Sequence, residues 1–133
     1  MNIEWATLCK RSELDAEGVN IFGANLEFAV APELPVQVSC MIAVKLGGIT
    51  NPPEVERVTV RIVSPEGVVL HEETKDVVVE LPDGIEMPEG VSVHHPMIGN
   101  LAWGAESYGA YTIVTESGDG TSYEVKLTVI SGF

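Results

Sequence analysis

Apolar and polar residues alternate with a period of two along much of the chain. Over residues 36–46 every even position is apolar (Val36, Val38, Cys40, Ile42, Val44, Leu46), while Gln37, Ser39 and Lys45 stand between them. Alternation of this kind turns one face of a strand to a core and the other to water, so the segment is predicted as a long half-buried strand. Val58-Thr59-Val60-Arg61-Ile62 repeats the pattern and runs into Ser64-Pro65-Glu66-Gly67. Pro at the second position and Gly at the fourth fit a type I turn, which sends the chain back through residues 68–73 and 77–81. That return stops at Pro82-Asp83-Gly84. Near the C-terminus, residues 111–116 and 122–130 flank Ser117-Gly118-Asp119-Gly120 and predict an antiparallel hairpin, with Tyr123, Val125, Leu127 and Val129 on its core face. At the other end, residues 3–9 and 19–30 predict two strands around a polar connection, residues 10–18, which reads as loop because its single Leu14 gives it no apolar stripe. Gly23 inside the second of these predicts a bulge or a close backbone approach. Residues 97–103 predict a further strand, with Trp103 capping the core.

Seven or eight short strands with no intervening helices predict an all-β fold, an antiparallel sandwich of two layers in a single domain spanning residues 1–133. Composition agrees. Val (19), Ile (9) and Thr (8) dominate, and Val outnumbers Leu (9), as suits pleated rather than helical structure. The formal charge is −13, from 20 acidic against 7 basic residues. Those seven are scattered, so nucleic acid is not an expected partner, since a polyanion needs a basic footprint. No apolar run reaches the roughly 18 to 20 residues of a membrane span, and Met1-Asn2-Ile3-Glu4-Trp5 does not begin a secretory leader. A cytoplasmic protein with reduced Cys9 and Cys40 is expected.

Tyr108-Gly109-Ala110-Tyr111-Thr112-Ile113-Val114 resembles the Gly-x-Tyr-x-hydrophobic lead-in to the penultimate strand of an immunoglobulin-like domain. The resemblance implies that Tyr111 is a corner tyrosine, its ring in the core and its hydroxyl held by backbone upstream. Antibody-type domains carry Cys two residues later; here Ile113 stands in that place. Across most of the chain, Glu4-Trp5-Ala6-Thr7-Leu8-Cys9, Ile21-Phe22-Gly23-Ala24 and Val60-Arg61-Ile62-Val63-Ser64-Pro65-Glu66-Gly67 together resemble an uncharacterised family of small cytoplasmic β-sandwich proteins of bacteria and their phages. Location in host cytoplasm and virion is what a phage source implies.

Candidate chemistry is sparse. His94 and His95 are adjacent, and in an extended segment adjacent side chains point to opposite sides; His71 is the only other imidazole. Glu80, Asp83, Glu86 and Glu89 recur every three or four residues through Pro- and Gly-containing chain, without the Asp-x-Asp-x-Asp-Gly pattern of a calcium loop. No Gly-x-Ser-x-Gly elbow and no phosphate-cradling glycine loop is present, so neither an enzyme nor a cofactor is expected. The segment 82–109 holds Met87, His94, His95, Met97, Trp103 and Tyr108 and no Lys or Arg. Aromatic and Met anchors in acidic surroundings suit contact with a protein. The expected function is therefore a non-enzymatic interaction or structural module, an accessory subunit of a larger assembly such as a phage particle, with homo-oligomers compatible with this reading. A small-ligand or cation sensor using His94, His95 and nearby carboxylates is the alternative.

Overall fold

A computed structural model of the chain describes residues 1–15 and 18–132. Ten strands follow one another: β1 (Asn2–Cys9), β2 (Arg11–Asp15), β3 (Gly18–Phe22), β4 (Phe28–Ala31), β5 (Val36–Ile49), β6 (Glu54–Val63), β7 (Val69–Val79), β8 (Val93–Ala105), β9 (Gly109–Ser117) and β10 (Ser122–Ser131). They form a three-stranded sheet ordered β1-β5-β8, a five-stranded sheet ordered β4-β10-β9-β6-β7, and a separate β2-β3 ribbon. Pairing is antiparallel except where β4 runs parallel to β10. The fold is an all-β, immunoglobulin-like sandwich. In chain order β1, β5 and β8 take the places of the first, second and fifth strands of that scheme, and β6, β9 and β10 those of the third, sixth and seventh.

The period-two pattern builds the core. Val38, Cys40, Ile42, Val44 and Leu46 of β5 are all buried and cluster with Val58, Val60 and Ile62 of β6, Ile113 of β9, and Leu127 and Val129 of β10. Tyr111 lies among them, its hydroxyl donating to the carbonyl of Ser107 at 2.8 Å. That is the corner geometry implied by the resemblance. The β6–β7 connection closes as a turn, with the Gly67 amide donating to the Ser64 carbonyl at 2.9 Å and the Ser64 amide to the Val68 carbonyl at 2.8 Å.

Several expectations are corrected. Among the described residues ten strands are present rather than seven or eight, in part because the polar connection 10–18 is not simply loop. Residues 11–15 pair with residues 18–22, Ser12 opposite Ile21 and Glu13 opposite Asn20. Ala16 and Glu17 of that connection lie outside the described residues. The ribbon needs no apolar stripe of its own, since β2 packs on β5, its buried Ser12 placing its amide 3.3 Å from the Met41 sulfur. Residues 19–30 are not one strand: the chain bends between β3 and β4, around Gly23 at φ +65°. Tyr123 is exposed, since the inner side of β10 is covered only from Val125 onward. The segment 82–109 holds the strand expected at residues 97–103, as part of the longer β8. Its first part is irregular, with two turns closed by Ile85 on Pro82 and Val91 on Pro88, and the rest is largely β8.

Candidate functional site

The two main sheets differ in width, and the mismatch leaves one flank of the sandwich open. Residues directly opposite in an antiparallel pair share a face. Val58, Val60 and Ile62 face the core, so their partners Lys75, Glu73 and His71 on β7 face the same way. All three are nevertheless exposed, because β8 is the last strand of the narrower sheet and no strand among the described residues lies beyond it to cover them. This also explains why the apolar alternation of β6 fades on β7, where only Val77 and Val79 are buried. In the immunoglobulin scheme a further strand lies beside β8; here residues 80–92, which precede β8, stay irregular.

A groove of about 350 Å³ runs between β7 and β8. Its floor is apolar, from Ile42, Val58, Val60, Met97 and Leu101, and Glu73 and Lys75 stand at its β7 side. At one end a second cavity of about 360 Å³ lies between Val68 and Leu70 on one side and Gly104 and Glu106 on the other. Toward the opposite end, a third of about 680 Å³ is lined by Leu81, Ile85, Met87 and Val91. Charge is lopsided around the flank: Glu66 and Glu106 line the second cavity, Glu86 and Glu89 the third and Glu73 the groove, against Lys75 alone. Glu66 at the Val68 end has its carboxyl held below the usual range, first by a hydrogen bond from the Ser107 side chain. It stays ionised at neutral pH.

The six residues predicted for a contact do not form one surface. Met97 is buried in the groove floor, and Met87 lines the third cavity. Trp103 is a core residue, 4% exposed, with its ring centroid 5.8 Å from that of Tyr111. Its Nε1 is buried without a hydrogen-bond partner among the described residues. Tyr108 is part-exposed and donates from its hydroxyl to the Ala31 carbonyl at 2.9 Å, tying the β8–β9 connection to the end of β4. His94 lies 2.9 Å from Glu4, whose other oxygen is 3.3 Å from Lys45. His95 is paired with Leu46 on β5. His71 is on the other sheet, 3.8 Å from Glu73. The histidines therefore do not converge, and among the described residues no three His, Cys, Asp or Glu side chains are grouped to hold a metal ion. Carboxylates Glu80, Asp83, Glu86 and Glu89 are dispersed on exposed chain.

Sequence reasoning missed the wall of the site, Glu73 and Lys75, and missed that β8 is an edge. A signal for the latter was Pro96, which lies inside β8 opposite Lys45. Proline cannot donate to a ladder and is confined to edge strands or bulges. Both cysteines are buried and free. Burial pushes the Cys40 thiol up to about 11, and nearby Cys9 adds to the effect, so Cys40 is protonated and unreactive at neutral pH. What the flank offers is an unpaired backbone edge above an apolar floor, with carboxylates around it. No family model matches the chain, and no curated protein matches it in sequence. Among the described residues no helix is long and apolar enough to cross a membrane.

Proposed function

We propose that this chain is a non-enzymatic protein-interaction or structural module, an accessory subunit of a larger assembly such as a phage particle, and that it meets its partner on the open flank between β7 and β8. The observation that carries this reading is the flank itself: core-grade side chains, Met97 and Leu101 among them, line a groove that no strand among the described residues closes. Grooves with an apolar centre and a charged rim match the anatomy of protein interfaces. The resemblance to small β-sandwich proteins of bacteria and phages supports a cytoplasmic or virion setting.

Site-specific photocrosslinking in the native cells tests the proposal. A photoreactive residue replaces Ile98 or Gly104 on the flank, and Lys126 on β10 serves as the control. The expected result is one defined protein adduct from the flank positions and none from Lys126, and a complex of the two proteins that re-forms from purified components. A chain that stays monomeric in those cells and gives no flank-specific adduct overturns the proposal.

A further inference from the structure

Among the described residues the sandwich has four outer strands, and only one of them is unguarded. A strand edge with unpaired N–H and C=O groups templates further pairing unless it is short, charged, bulged or covered. β1 has a register shift between Ile3 and Trp5 with Glu4 at it, and its groups are engaged from the side: Leu8 accepts from the Leu26 amide at 3.0 Å, and the Ile3 amide donates to the Thr121 hydroxyl at 3.1 Å. β4 is four residues long. β7 carries His71, Glu72, Glu73, Lys75 and Asp76. By contrast, residues 97–105 of β8 contain no charge and no proline, and they keep an unbroken register against β5 from Met97 opposite Val44 to Ala105 opposite Val36. β5 is the only strand with which β8 pairs among the described residues. Pro96 closes the N-terminal end of this stretch, which leaves about 30 Å of receptive edge.

Resting on the proposed role of this flank, we infer that residues 97–105 of β8 accept an extended segment of a partner protein as an added strand, and that this segment alternates apolar residues with Lys or Arg. The two halves of that chemistry have separate origins. An added strand turns alternate side chains into the groove, where Ile42, Val58, Val60, Met97 and Leu101 await apolar groups. The other set lies beside Asn100, Ala102 and Gly104, which are exposed and uncharged, so it is free to be long and charged. Its sign follows from the surroundings: Glu66 and Glu106 at one end, Glu86 and Glu89 at the other, Glu73 offsetting Lys75 between them, and a net charge of −13 overall. A second copy of this chain brings the same charge and is repelled; a basic strand is drawn in.

The test uses the full chain and a fluorescent nine-residue peptide of alternating Lys and Val. Comparison peptides replace Lys by Glu, or carry N-methyl groups on alternate amides in either phase. Anisotropy reads affinity, and amide hydrogen exchange locates the contact. The expected result is saturable binding that weakens at least about tenfold, which is about 1.4 kcal/mol, with the Glu peptide through like charge and with one of the two N-methylated phases through lost ladder bonds. Exchange slows within residues 97–105 and not on β1 or β7. Ala102→Lys weakens the peptide by about tenfold at unchanged Tm, through like charge at the edge. Equal binding of both N-methylated peptides, or protection confined to β7 or the 80–92 segment, overturns the inference. So does, at neutral pH, a concentration-dependent dimer whose own β8 amides are protected, which makes a second copy the occupant. A flank-specific adduct in cells without strand addition on β8 leaves the interaction module standing and removes only this inference.

Discussion

At the scale of single residues, two buried polar groups show how the sandwich specifies itself. The Tyr111 hydroxyl donates to the Ser107 carbonyl at 2.8 Å while its ring is fully buried. Tyr111→Phe keeps the ring and leaves the carbonyl without that donor, so a loss of about 1–2 kcal/mol is expected in urea unfolding, with the slope of the transition unchanged. Cys40 provides a pH signature. Burial, and to a lesser degree nearby Cys9, pushes its thiol up to about 11 from the ordinary 9.0. A folded state that holds its proton more tightly than the unfolded one keeps the associated stability below the unfolded value and loses it as pH rises from there toward the folded one. The Tm of the protein is therefore expected to fall between about pH 9 and 11, and Cys40→Val to flatten that limb. An alkaline limb equally steep in the variant assigns the effect to other groups. Trp103 belongs to this scale as well. Its indole reads in sequence as either a contact or a core cap, and only the packing against Tyr111 separates the two, because a side chain's type does not encode which sheet lies over it.

At the scale of elements, the turn between β6 and β7 was legible from four residues. Ser64-Pro65-Glu66-Gly67 closes as expected, and Gly67 takes φ +86°, a conformation that L side chains rarely adopt. Gly67→Ala is thus expected to cost about 1–2 kcal/mol although no atom lies within 4 Å of the added methyl. Unchanged stability in a thermal melt counts against a left-handed turn here. The long strands β5, β6 and β10 were equally legible, since one face of each is buried and the period of two reports that. The β2-β3 ribbon was not, because it rests on the outer side of a sheet that already has its core, and half its residues face water. β7 and β8 were legible as strands and illegible as a site. Alternation records which residues are covered, whereas an open flank is made by the absence of a neighbour, and only Pro96 hinted at that in sequence. Glu73 and Lys75 look like ordinary surface charges until register places them opposite Val60 and Val58.

At the scale of the molecule, shape and charge oppose each other. The accessible surface is 7785 Å², against about 6,800 Å² for a compact chain of this mass, as suits a sandwich with one open side and an appended ribbon. Such openness invites self-pairing through β8. The device available against it is the net charge of −13, which acts on every copy at distances set by salt. That division of labour makes the local edge depend on a global property, and acid separates them. As pH falls toward the sequence pI of about 4.4, the net negative charge and its repulsion vanish, while residues 97–105 of β8 carry no ionisable side chain, His94 and His95 lying outside them. The chain is accordingly expected to be monomeric at neutral pH and low salt, and to associate near pH 4.4 with protection of β8 amides. Ala102→Lys places one positive charge on the edge without altering the rest of the surface. It is expected to suppress that association, whereas a Lys placed at Thr128 on the outer side of β10 does not. Sedimentation of the three proteins between pH 4 and 7 checks this. Equal association of all three at pH 4.4 means that bulk neutralisation alone drives it, and that β8 has no special reach.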